Sequence, residues 1–436
     1  MDNKMQHNLS YPNSLYAETR SDINFPKILA EEIKVDTCVI GGGLAGISTA
    51  LGLAKRGRSV LVLEANKIGW GASGRNGGFV ASGYSLGVKN IIQKVGLQNA
   101  KALHGLTLKA QSLILKRIEE YNIDCGPVVG GRLNASLWEK DVELKTYVGF
   151  MTKEFDENYT YWDKGKIQSH YKTKAYQGAI FDAGCFHLHP LNLTLGLAKA
   201  VEKSGGQVFE DSPAININNK GGKVIVGCNE GRIIADNLVV ACSGYIGKLL
   251  PKISRATLPI TTYVMVTEAL GARLDEMTDL PYAISDDRVS CDYYRPLPDG
   301  STRLLWGGRI TAFPTKAENI ANIMRQNMIR IYPQFADIKI DYSWSGVMGY
   351  AAHKMPLVAK ISDNIWVNSG YGGHGMASTT AGGEVVASAI ADNDVAYELF
   401  KPFGLNYTGS KLGPIAAQAY YLANYLRDEW RIRRGY

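Results

Sequence analysis

A glycine-rich turn between a buried strand and a helix constrains the fold of this 436-residue chain more than any other feature. Residues 35–40 are mostly apolar, as in a strand of a parallel sheet, and Gly-Gly-Gly-Leu-Ala-Gly follows at 41–46. This G-x-G-x-x-G pattern opens an Ala/Leu-rich helix over 44–55, and the next apolar strand, 60–63, ends at Glu64. The unit predicts a dinucleotide site, with a pyrophosphate on the helix N-terminus and ribose hydroxyls on the Glu64 carboxylate.

Two further glycine-rich segments favour a flavin over a nicotinamide ligand. Residues 69–78 read Gly-Trp-Gly-Ala-Ser-Gly-Arg-Asn-Gly-Gly, which indicates a loop that presses its backbone against a flat ligand. Residues 370–376 follow the apolar strand 365–367 and precede a helix, whose N–H groups can face the electron-rich edge of a flavin. His374 in this loop is expected to space the loop beside the ring, and a role as a base is the alternative.

The composition is that of a globular protein, with 45% hydrophobic and 20% charged residues, and the length suits about two or three domains. The 48 basic and 41 acidic residues are spread along the chain, so the charge pattern does not favour nucleic acid as a partner. The six cysteines show no C-x-x-C spacing, and no stretch of the sequence resembles a signal peptide or a membrane span. We therefore expect free thiols and a cytoplasmic protein.

The pattern along the chain predicts an α/β and α+β fold, in which a discontinuous, Rossmann-like FAD-binding domain is interleaved with an antiparallel-sheet substrate domain. Amphipathic helical patterns over 90–174 and alternating strand patterns over 255–340 separate the glycine-rich segments. The predicted boundaries are an N-terminal arm over 1–34, FAD-binding segments over 35–90, 184–254 and 341–395, substrate segments over 91–183 and 255–340, and a C-terminal segment with a helix over 396–436.

Two other patterns allow more than one interpretation. His187 and His189 would share one face of a strand, but no nearby Cys, Asp or Glu completes a ligand set, and we predict no metal site. Apolar residues recur at helical spacing over 415–430, and a cluster of arginines follows at 431–434. Packing of this helix on the protein's own surface is the simpler interpretation, and peripheral contact with a membrane is the alternative.

Together these segments resemble the D-amino-acid-oxidase-like family of FAD-dependent amine oxidoreductases, which contains sarcosine, glycine and γ-glutamylputrescine oxidases. The resemblance covers nearly the whole chain and includes Gly184-Cys185-Phe186-His187-Leu188-His189-Pro190 and Ala241-Cys242-Ser243-Gly244-Tyr245. The segments 71–78 and Asp292-Tyr293-Tyr294-Arg295 are most similar to the branch of γ-glutamylputrescine and pipecolate oxidases. The FAD-binding residues that the motifs and the resemblance imply are Gly41, Gly43, Leu44, Ala45, Gly46, Glu64, Ala65, Gly71, Ser73, Arg75, Asn76, Gly77, Gly78, Ala214, Ala241, Gly244, Gly372, Gly373, His374, Gly375 and Met376.

Departures from the sarcosine oxidases of this family imply non-covalent FAD and a different substrate. Residues 346–350 lack the cysteine that holds a covalent flavin in those relatives. Ala377 replaces a lysine that binds the substrate carboxylate, and Leu305 replaces a lysine associated with oxygen reactivity.

The resemblance implies oxidation of the C–N bond of an amine or amino acid, either a γ-glutamyl amine or a cyclic imino acid. A hydride would pass to flavin N5 and leave an imine that can hydrolyse. The candidate catalytic residues are Tyr294, Arg75 and His374, and the candidate substrate-binding residues are Tyr263, Tyr294, Trp344 and His353. The electron acceptor would be oxygen, a quinone or a carrier protein. The alternatives are a dehydrogenase that serves a quinone or carrier, and a flavin-binding subunit without catalytic activity.

Overall fold

The computed structural model describes residues 9–27 and 32–434 and shows two β-sheets with helices packed around them. Residues 1–8 and 28–31 of the predicted arm, and residues 435–436, lie outside the described residues. The strands of the described part are β1 (Glu32–Ile40), β2 (Val60–Leu63), β3 (Phe79–Val80), β4 (Val129–Ser136), β5 (Tyr159–Asp163), β6 (Gly178–His187), β7 (Gln207–Phe209), β8 (Asn216–Lys220), β9 (Lys223–Gly227), β10 (Arg232–Val240), β11 (Leu258–Thr267), β12 (Ala283–Asp286), β13 (Tyr293–Pro296), β14 (Leu304–Thr311), β15 (Ile340–Tyr350), β16 (Leu357–Ser362) and β17 (Ile365–Ser369). The helices of the same part are α1 (Leu15–Glu18), α2 (Leu44–Ala54), α3 (Val88–Tyr121), α4 (Asp141–Phe155), α5 (Lys164–His170), α6 (Pro190–Lys203), α7 (Pro251–Ser254), α8 (Ala317–Ile331), α9 (Met376–Ala391) and α10 (Leu412–Arg434).

The first sheet is the parallel sheet that the glycine-rich turn predicts. Its strand order is β16-β17-β10-β1-β2-β7, and the hairpin of β8 and β9 pairs with β10. Strands β1, β2, β7, β10 and β17 run parallel, and β2 is buried along its whole length. The carboxyl ends of parallel strands lie at one edge of a sheet, so the segments that follow β1, β2, β10 and β17 come together there.

Helices α2 and α9 approach each other closely beside this sheet. A Cβ atom on Gly383 of α9 would lie 2.7 Å from Cβ of Ser48 and 2.8 Å from the backbone nitrogen of Thr49, so a side chain here would force the helices apart. Helix α9 directly follows the glycine-rich loop 370–375. The close contact with α2 therefore fixes the position of that loop relative to the first glycine turn.

The second sheet has the order β15-β11-β14-β13-β12-β4-β6-β3, with β5 paired to β6. It is antiparallel, as predicted, except that β4 and β12 run parallel. One face of the sheet packs with α8 in a core rich in aromatic side chains, namely Tyr171, Tyr176, Tyr263, Tyr294, Trp306, Tyr332 and Phe335. On the other face, a Cβ on Gly77 would lie 2.7 Å from the ring of Tyr293, so this face meets the loop 69–78.

The strands divide between the sheets at residues other than the predicted domain boundaries. The predicted FAD-binding segments contain β3, the end of β6 and nearly all of β15, but these strands pair in the second sheet. Strand β1 begins at Glu32, inside the predicted arm, and β4 and β5 interrupt the region predicted as helical. Apolar periodicity reports that a strand is buried and does not report which sheet it joins, which is why the two sheets do not follow the predicted segments. The division into two domains itself stays a prediction.

We expect the substitution Gly383→Ala to lower the free energy of unfolding by about 1–3 kcal/mol, because the added methyl group has no space against α2. It should also weaken FAD binding, because α9 directly follows the glycine-rich loop 370–375 and a shift of the helix would move that loop. The matched control is Gly105→Ala in α3, where an added Cβ meets no atom within 4 Å. This control should raise the stability by about 0.5–1 kcal/mol, because alanine favours a helix over glycine. Chemical denaturation measures both, and equal stability of the two variants would contradict the packing argument.

Candidate active site

The first glycine turn lies at the carboxyl edge of the parallel sheet. Gly41 has φ +112°, and a Cβ there would lie 2.7 Å from the carbonyl oxygen of Ala241, so the turn requires glycine. The N–H of Gly41 donates to the carbonyl of Leu63, and the N–H of Ala241 donates to the carbonyl of Ile40. The turn is thus held between β2 and β10, with the N-terminus of α2 directly behind it.

Glu64 lies beside this turn at the end of β2. Its carboxylate accepts hydrogen bonds from the backbone N–H of Gly42 at 2.7 Å and of Asn66 at 2.9 Å. Removal of the carboxyl from water raises the pKa of Glu64 to about 7, although these N–H groups favour the charged form. The arrangement suits a carboxylate that receives further hydrogen bonds from the hydroxyls of a ribose.

Ser73 connects the loop 69–78 to the helix N-terminus. Its Oγ accepts the N–H of Leu44 at 2.9 Å, so the hydroxyl lies where an anion on α2 would be bound. Asn76 closes the loop on itself, because its amide donates to the carbonyls of Ala72 and Ser73 and accepts the N–H of Gly78. The loop has a defined backbone without any contribution from a ligand.

Arg75 turns toward the second sheet. Its guanidinium lies 4.2 Å from the ring centre of Trp70 and donates to the carbonyls of Trp70 at 2.6 Å and Ser345 at 3.2 Å. Burial lowers the pKa of Arg75, and its Nη2 atom is buried without a hydrogen-bond partner among the described residues. One donor is therefore left for an acceptor group, and the predicted role at the flavin or the substrate stays a prediction.

The late glycine loop pairs with the end of β15. The N–H of Gly372 donates to the carbonyl of Gly349, and the N–H of Gly373 donates to the hydroxyl of Tyr350 at 3.0 Å. The Nε2 atom of His374 lies 2.6 Å from the carbonyl oxygen of Ser82. Because a carbonyl oxygen only accepts hydrogen bonds, Nε2 is the protonated nitrogen. Burial and, to a smaller extent, the charge of Arg132 lower the pKa of His374 to about 4. A neutral imidazole that donates to a carbonyl fits a spacer better than a base.

The other predicted FAD-binding residues follow strands of the first sheet at the same edge. Ser212, on the loop that carries Ala214, donates its N–H to the carbonyl of Glu64. The positions on these segments are Ala65 and Gly71 after β2, Ala214 after β7, Ala241 and Gly244 after β10, and Gly375 and Met376 after β17.

The structure places the side chain of Tyr294 away from the glycine-rich loop, and its predicted catalytic role stays a prediction. Its side chain is buried in the aromatic core on the α8 face, stacked on Trp306 at 4.2 Å. Its hydroxyl bonds to those of Tyr176 at 2.8 Å and Tyr332 at 2.7 Å, which leaves it no free donor. Successive side chains of a strand point to opposite faces, so Tyr293 is the residue that faces the glycine-rich loop.

Two of the other predicted substrate-binding residues also have structural partners. Tyr263 lies on the same buried face as Tyr294, and its hydroxyl bonds to Thr311 at 2.8 Å. His353 accepts the N–H of Met355 and bonds to the carbonyl of Gly404, so it fastens the segment before α10. Their roles in substrate binding stay predictions, since an aromatic or histidine pattern does not show which face or contact it serves.

Trp344 faces the glycine-rich side but supports a loop. It is almost fully buried, and its indole N–H donates to the carbonyl of Arg75 at 2.9 Å. Its ring packs against Tyr16 of α1, with a centroid distance of 5.4 Å. The prediction that it binds substrate stays a prediction, and its observed contact positions the Arg75 backbone.

Arg295 explains the His187 pattern. This buried guanidinium donates to the carbonyls of Gly77 and Leu188 and to Nδ1 of His187 at 3.0 Å. Burial and the charge of Arg295 lower the pKa of His187 to about 3. His189 instead caps α6 by accepting the N–H of Asn192. Both imidazoles are engaged, and the described residues contain no cluster suited to a metal ion.

Arg132 is not among the residues predicted from the sequence. In β4 it pairs with Asp182, and Leu133 beside it points into the aromatic core. Asn134 pairs across β12 with Ser285, and Ser285 pairs with Tyr293, so these side chains share the face that meets the glycine-rich loop. By the same alternation Arg132 lies on that face.

The glycine turn, the Glu64 carboxylate and the α2 N-terminus at this edge are typical of a dinucleotide-binding protein, and a second sheet meets the glycine-rich loop beside them. Residues 36–389 match the model of the DAO family of FAD-dependent oxidoreductases, and the chain belongs to that family, as predicted. FAD is accordingly its cofactor, and the Gly41 turn, the Glu64 carboxylate and the α2 N-terminus are groups that fit it.

The chain is similar to curated relatives over most of its length. It is 36% identical to "Probable oxidoreductase OrdL" of Haemophilus influenzae over 400 residues, which cover 89% of this chain and 90% of that protein. It is 32% identical to γ-glutamylputrescine oxidoreductase of Escherichia coli over 400 residues, which cover 89% of this chain and 91% of that protein.

Solved structures support the fold. The L-proline dehydrogenase of P. horikoshii superposes with a TM-score of 0.71 at 18% identity, covering 85% of this chain and 98% of that one. The glycine oxidase of Geobacillus kaustophilus superposes with a TM-score of 0.70 at 20% identity, covering 86% and 99%. The described helices include none that is long and apolar enough to cross a bilayer.

The substitution Tyr294→Phe tests the predicted catalytic role of this side chain. We expect it to lower the free energy of unfolding by about 1–2 kcal/mol, because two buried hydroxyls lose a partner. The rate of flavin reduction per bound FAD should stay within about twofold of the original, as no reacting group is touched. Tyr293→Ala, on the opposite face, should instead weaken FAD binding. A large loss of the reduction rate in a stable Tyr294→Phe protein would support the catalytic role.

The affinity for FAD should fall as the pH drops below about 7. Glu64 is half protonated near that pH in the FAD-free protein, and hydroxyl donors from a ribose favour its charged form. Binding then releases a proton, so the Kd should rise by up to about tenfold per pH unit below 7. Fluorescence titration of the apoprotein measures this change. The Glu64→Gln variant should bind FAD weakly at high pH, and its Kd should no longer change with pH. A Kd that still rises below pH 7 in this variant would show that another group titrates.

Proposed function

We propose that this protein oxidises the C–N bond of an amine or amino acid that carries a carboxylate, with non-covalent FAD as cofactor. A γ-glutamyl amine or a cyclic imino acid such as proline or pipecolate meets this description. The similarity to a γ-glutamylputrescine oxidoreductase supports the first class. The observation that carries the proposal is the incompletely paired guanidinium of Arg132 on the glycine-facing side of the second sheet.

Arg132 is suited to bind an anion. Its one carboxylate contact, Nη2 to Asp182 Oδ2, is long at 3.5 Å, and its Nε is buried with no hydrogen-bond partner in the described part of the chain. Asp182 meanwhile accepts the N–H groups of Gly184 and Cys185. A buried guanidinium with a free N–H is costly, and a substrate carboxylate would satisfy it with a charged, directional pair. The charge of Arg132 also reaches His374 in the late glycine loop.

The residues of this site would bind and orient the substrate. When bound, FAD supplies the acceptor for a hydride from the carbon beside the nitrogen. Arg132 would hold the carboxylate and thereby set the position of the C–N bond. The neutral His374 adds no second charge, and the positive field of Arg132 favours the neutral form of a nearby amine, which is the form that can be oxidised.

A second candidate function is a dehydrogenase that passes its electrons to a quinone or a carrier protein. It is favoured by Leu305, which is fully buried and apolar where the resemblance places a lysine in oxygen-reactive relatives. A dehydrogenase would be reduced by its substrate as fast as an oxidase, but oxygen would reoxidise its reduced flavin slowly.

Anaerobic bleaching of the flavin near 450 nm, with matched substrates, tests the proposal. The pairs are γ-glutamylputrescine with putrescine, L-proline with pyrrolidine, and L-pipecolate with piperidine. We expect one acid-bearing member to bleach the flavin rapidly and its carboxylate-free partner to need a much higher concentration. If none of the acids bleaches an FAD-loaded protein, the proposed reaction is wrong. Admission of oxygen to the reduced protein then distinguishes the oxidase from the dehydrogenase.

Arg132→Met should raise the KM for the acid-bearing substrate by about 10- to 100-fold, the cost of one charged hydrogen-bonded contact. It should leave the carboxylate-free partner nearly unchanged. The matched control is Arg303→Met, directly before β14, whose guanidinium pairs with Asp341. An equal effect of Arg132→Met on both substrates would show that the arginine stabilises the fold and does not bind the carboxylate.

A further inference from the structure

Helix α10 is seated on the protein through one of its faces. Tyr421 and Ala417 pack against a small apolar cluster that includes Met348 of β15. The side chain of Gln418 accepts the N–H of Ala312, and the carboxylate of Asp428 accepts the N–H of Val289. This confirms that the helix packs on the protein's own surface.

The opposite face of α10 presents an apolar stripe to the outside. Its members, each 52–72% exposed, are Leu412, Ile415, Leu422, Leu426 and Trp430. The spacings of seven, four and four from Ile415 onward keep these side chains on one side of the helix. Single exposed apolar residues are ordinary on protein surfaces, but a continuous row along a six-turn helix indicates a binding surface.

The charges around this stripe are positive. The only acidic residues of α10, Asp428 and Glu429, turn inward, with side chains 6% and 12% exposed, and Glu429 pairs with Arg330 of α8. Arg433 and Arg434 are exposed at the end of the helix, and Arg434 lies over the Trp430 ring at 4.4 Å. An apolar row that ends in outward-facing cations complements a surface with an apolar interior and anionic headgroups.

A second copy of the same helix does not complement the stripe. In a parallel pair the arginine-rich ends would meet each other. In an antiparallel pair, Arg433 and Arg434 would meet the N-terminal end of the partner helix, which carries Lys411 and the positive end of the helix dipole. Both arrangements bring like charges together at the ends of the apolar contact.

We propose that α10 is a monotopic membrane anchor, which lies in the interface of an anionic lipid bilayer with its apolar stripe buried among the acyl chains. The helix does not cross the bilayer, because its charged residues and its packed face hold it in the interfacial plane. Docking would bring the late glycine loop toward the membrane, because the inner face of α10 packs near Tyr350, whose hydroxyl accepts the N–H of Gly373. The proposal does not depend on the identity of the substrate.

Vesicle co-sedimentation of the FAD-loaded full chain tests this anchor. The probes are vesicles of phosphatidylcholine alone and of equal parts phosphatidylcholine and phosphatidylglycerol. We expect the partition coefficient to be at least about tenfold higher for the anionic vesicles, and to fall with added salt. The triple variant Leu422→Ser, Leu426→Ser and Trp430→Ser should lose about tenfold or more of this partition, because it removes the buried apolar area.

Two controls keep the result specific to α10. Val142→Ser removes an exposed apolar side chain from α4, 79% exposed, and should leave vesicle binding unchanged. Arg433→Gln with Arg434→Gln should reduce the preference for anionic lipid while binding through the apolar stripe persists. In solution, the rate of flavin reduction should be the same in every variant. The proposal is wrong if the chain binds neither kind of vesicle, or if the triple variant binds as well as the original. It is also wrong if sedimentation shows that the original chain is a dimer and the triple variant a monomer.

Discussion

The buried guanidinium of Arg295 is the interaction that joins the second sheet to the glycine-rich loop 69–78 and to α1. It extends from β13 of the second sheet and donates to the carbonyls of Gly77, in the loop 69–78, and Leu188, between β6 and α6. It also reaches Nδ1 of His187 and the hydroxyl of Tyr16. These four acceptors belong to three segments of the chain, since His187 and Leu188 are neighbours. Removal of the guanidinium would leave several buried acceptors without donors at once, so one side chain sets the distance between loop, sheet and arm.

The groups that Arg295 contacts are neutral, so the cation is stabilised by dipoles. This distinguishes it from a buried ion pair, in which two charges cancel. Burial and, after it, the charge of Arg295 hold His187 in the neutral form that accepts this hydrogen bond, with a pKa of about 3. Arg132 acts on His374 in the same direction. His187 and His374, which suggest metal or base chemistry in the sequence, are thus neutral and serve as an acceptor and a donor of hydrogen bonds. The positive charge beside them resides on Arg295 and Arg132.

The parts of this site that could be predicted from the sequence are those in which a short segment determines its own geometry. The Gly41 turn and Glu64 belong to one continuous βαβ unit, so their spacing alone brings them together. The sequence could not show whether Tyr293 or Tyr294 faces the glycine-rich loop, because the direction of a strand side chain changes with a shift of one residue and both residues are tyrosines. Arg132 was missed because its face depends on the pairing of β4 with β12, more than 140 residues apart in the sequence. Long-range pairing of this kind leaves no local signal.

The two faces of the second sheet differ in composition, and under the proposed function one face serves stability and the other serves substrate choice. The α8 face is filled by large aromatic side chains whose hydroxyls bond to one another, as in Tyr176, Tyr294 and Tyr332, so a change there creates a cavity or an unpaired polar atom. The other face carries polar groups such as Arg132 and Asn134, and glycines such as Gly307, where a side chain would clash with Tyr293. Polar residues on that face can change without disturbing the aromatic core behind them. This division of faces would allow one scaffold to accept different residues on the face that is proposed to meet the substrate.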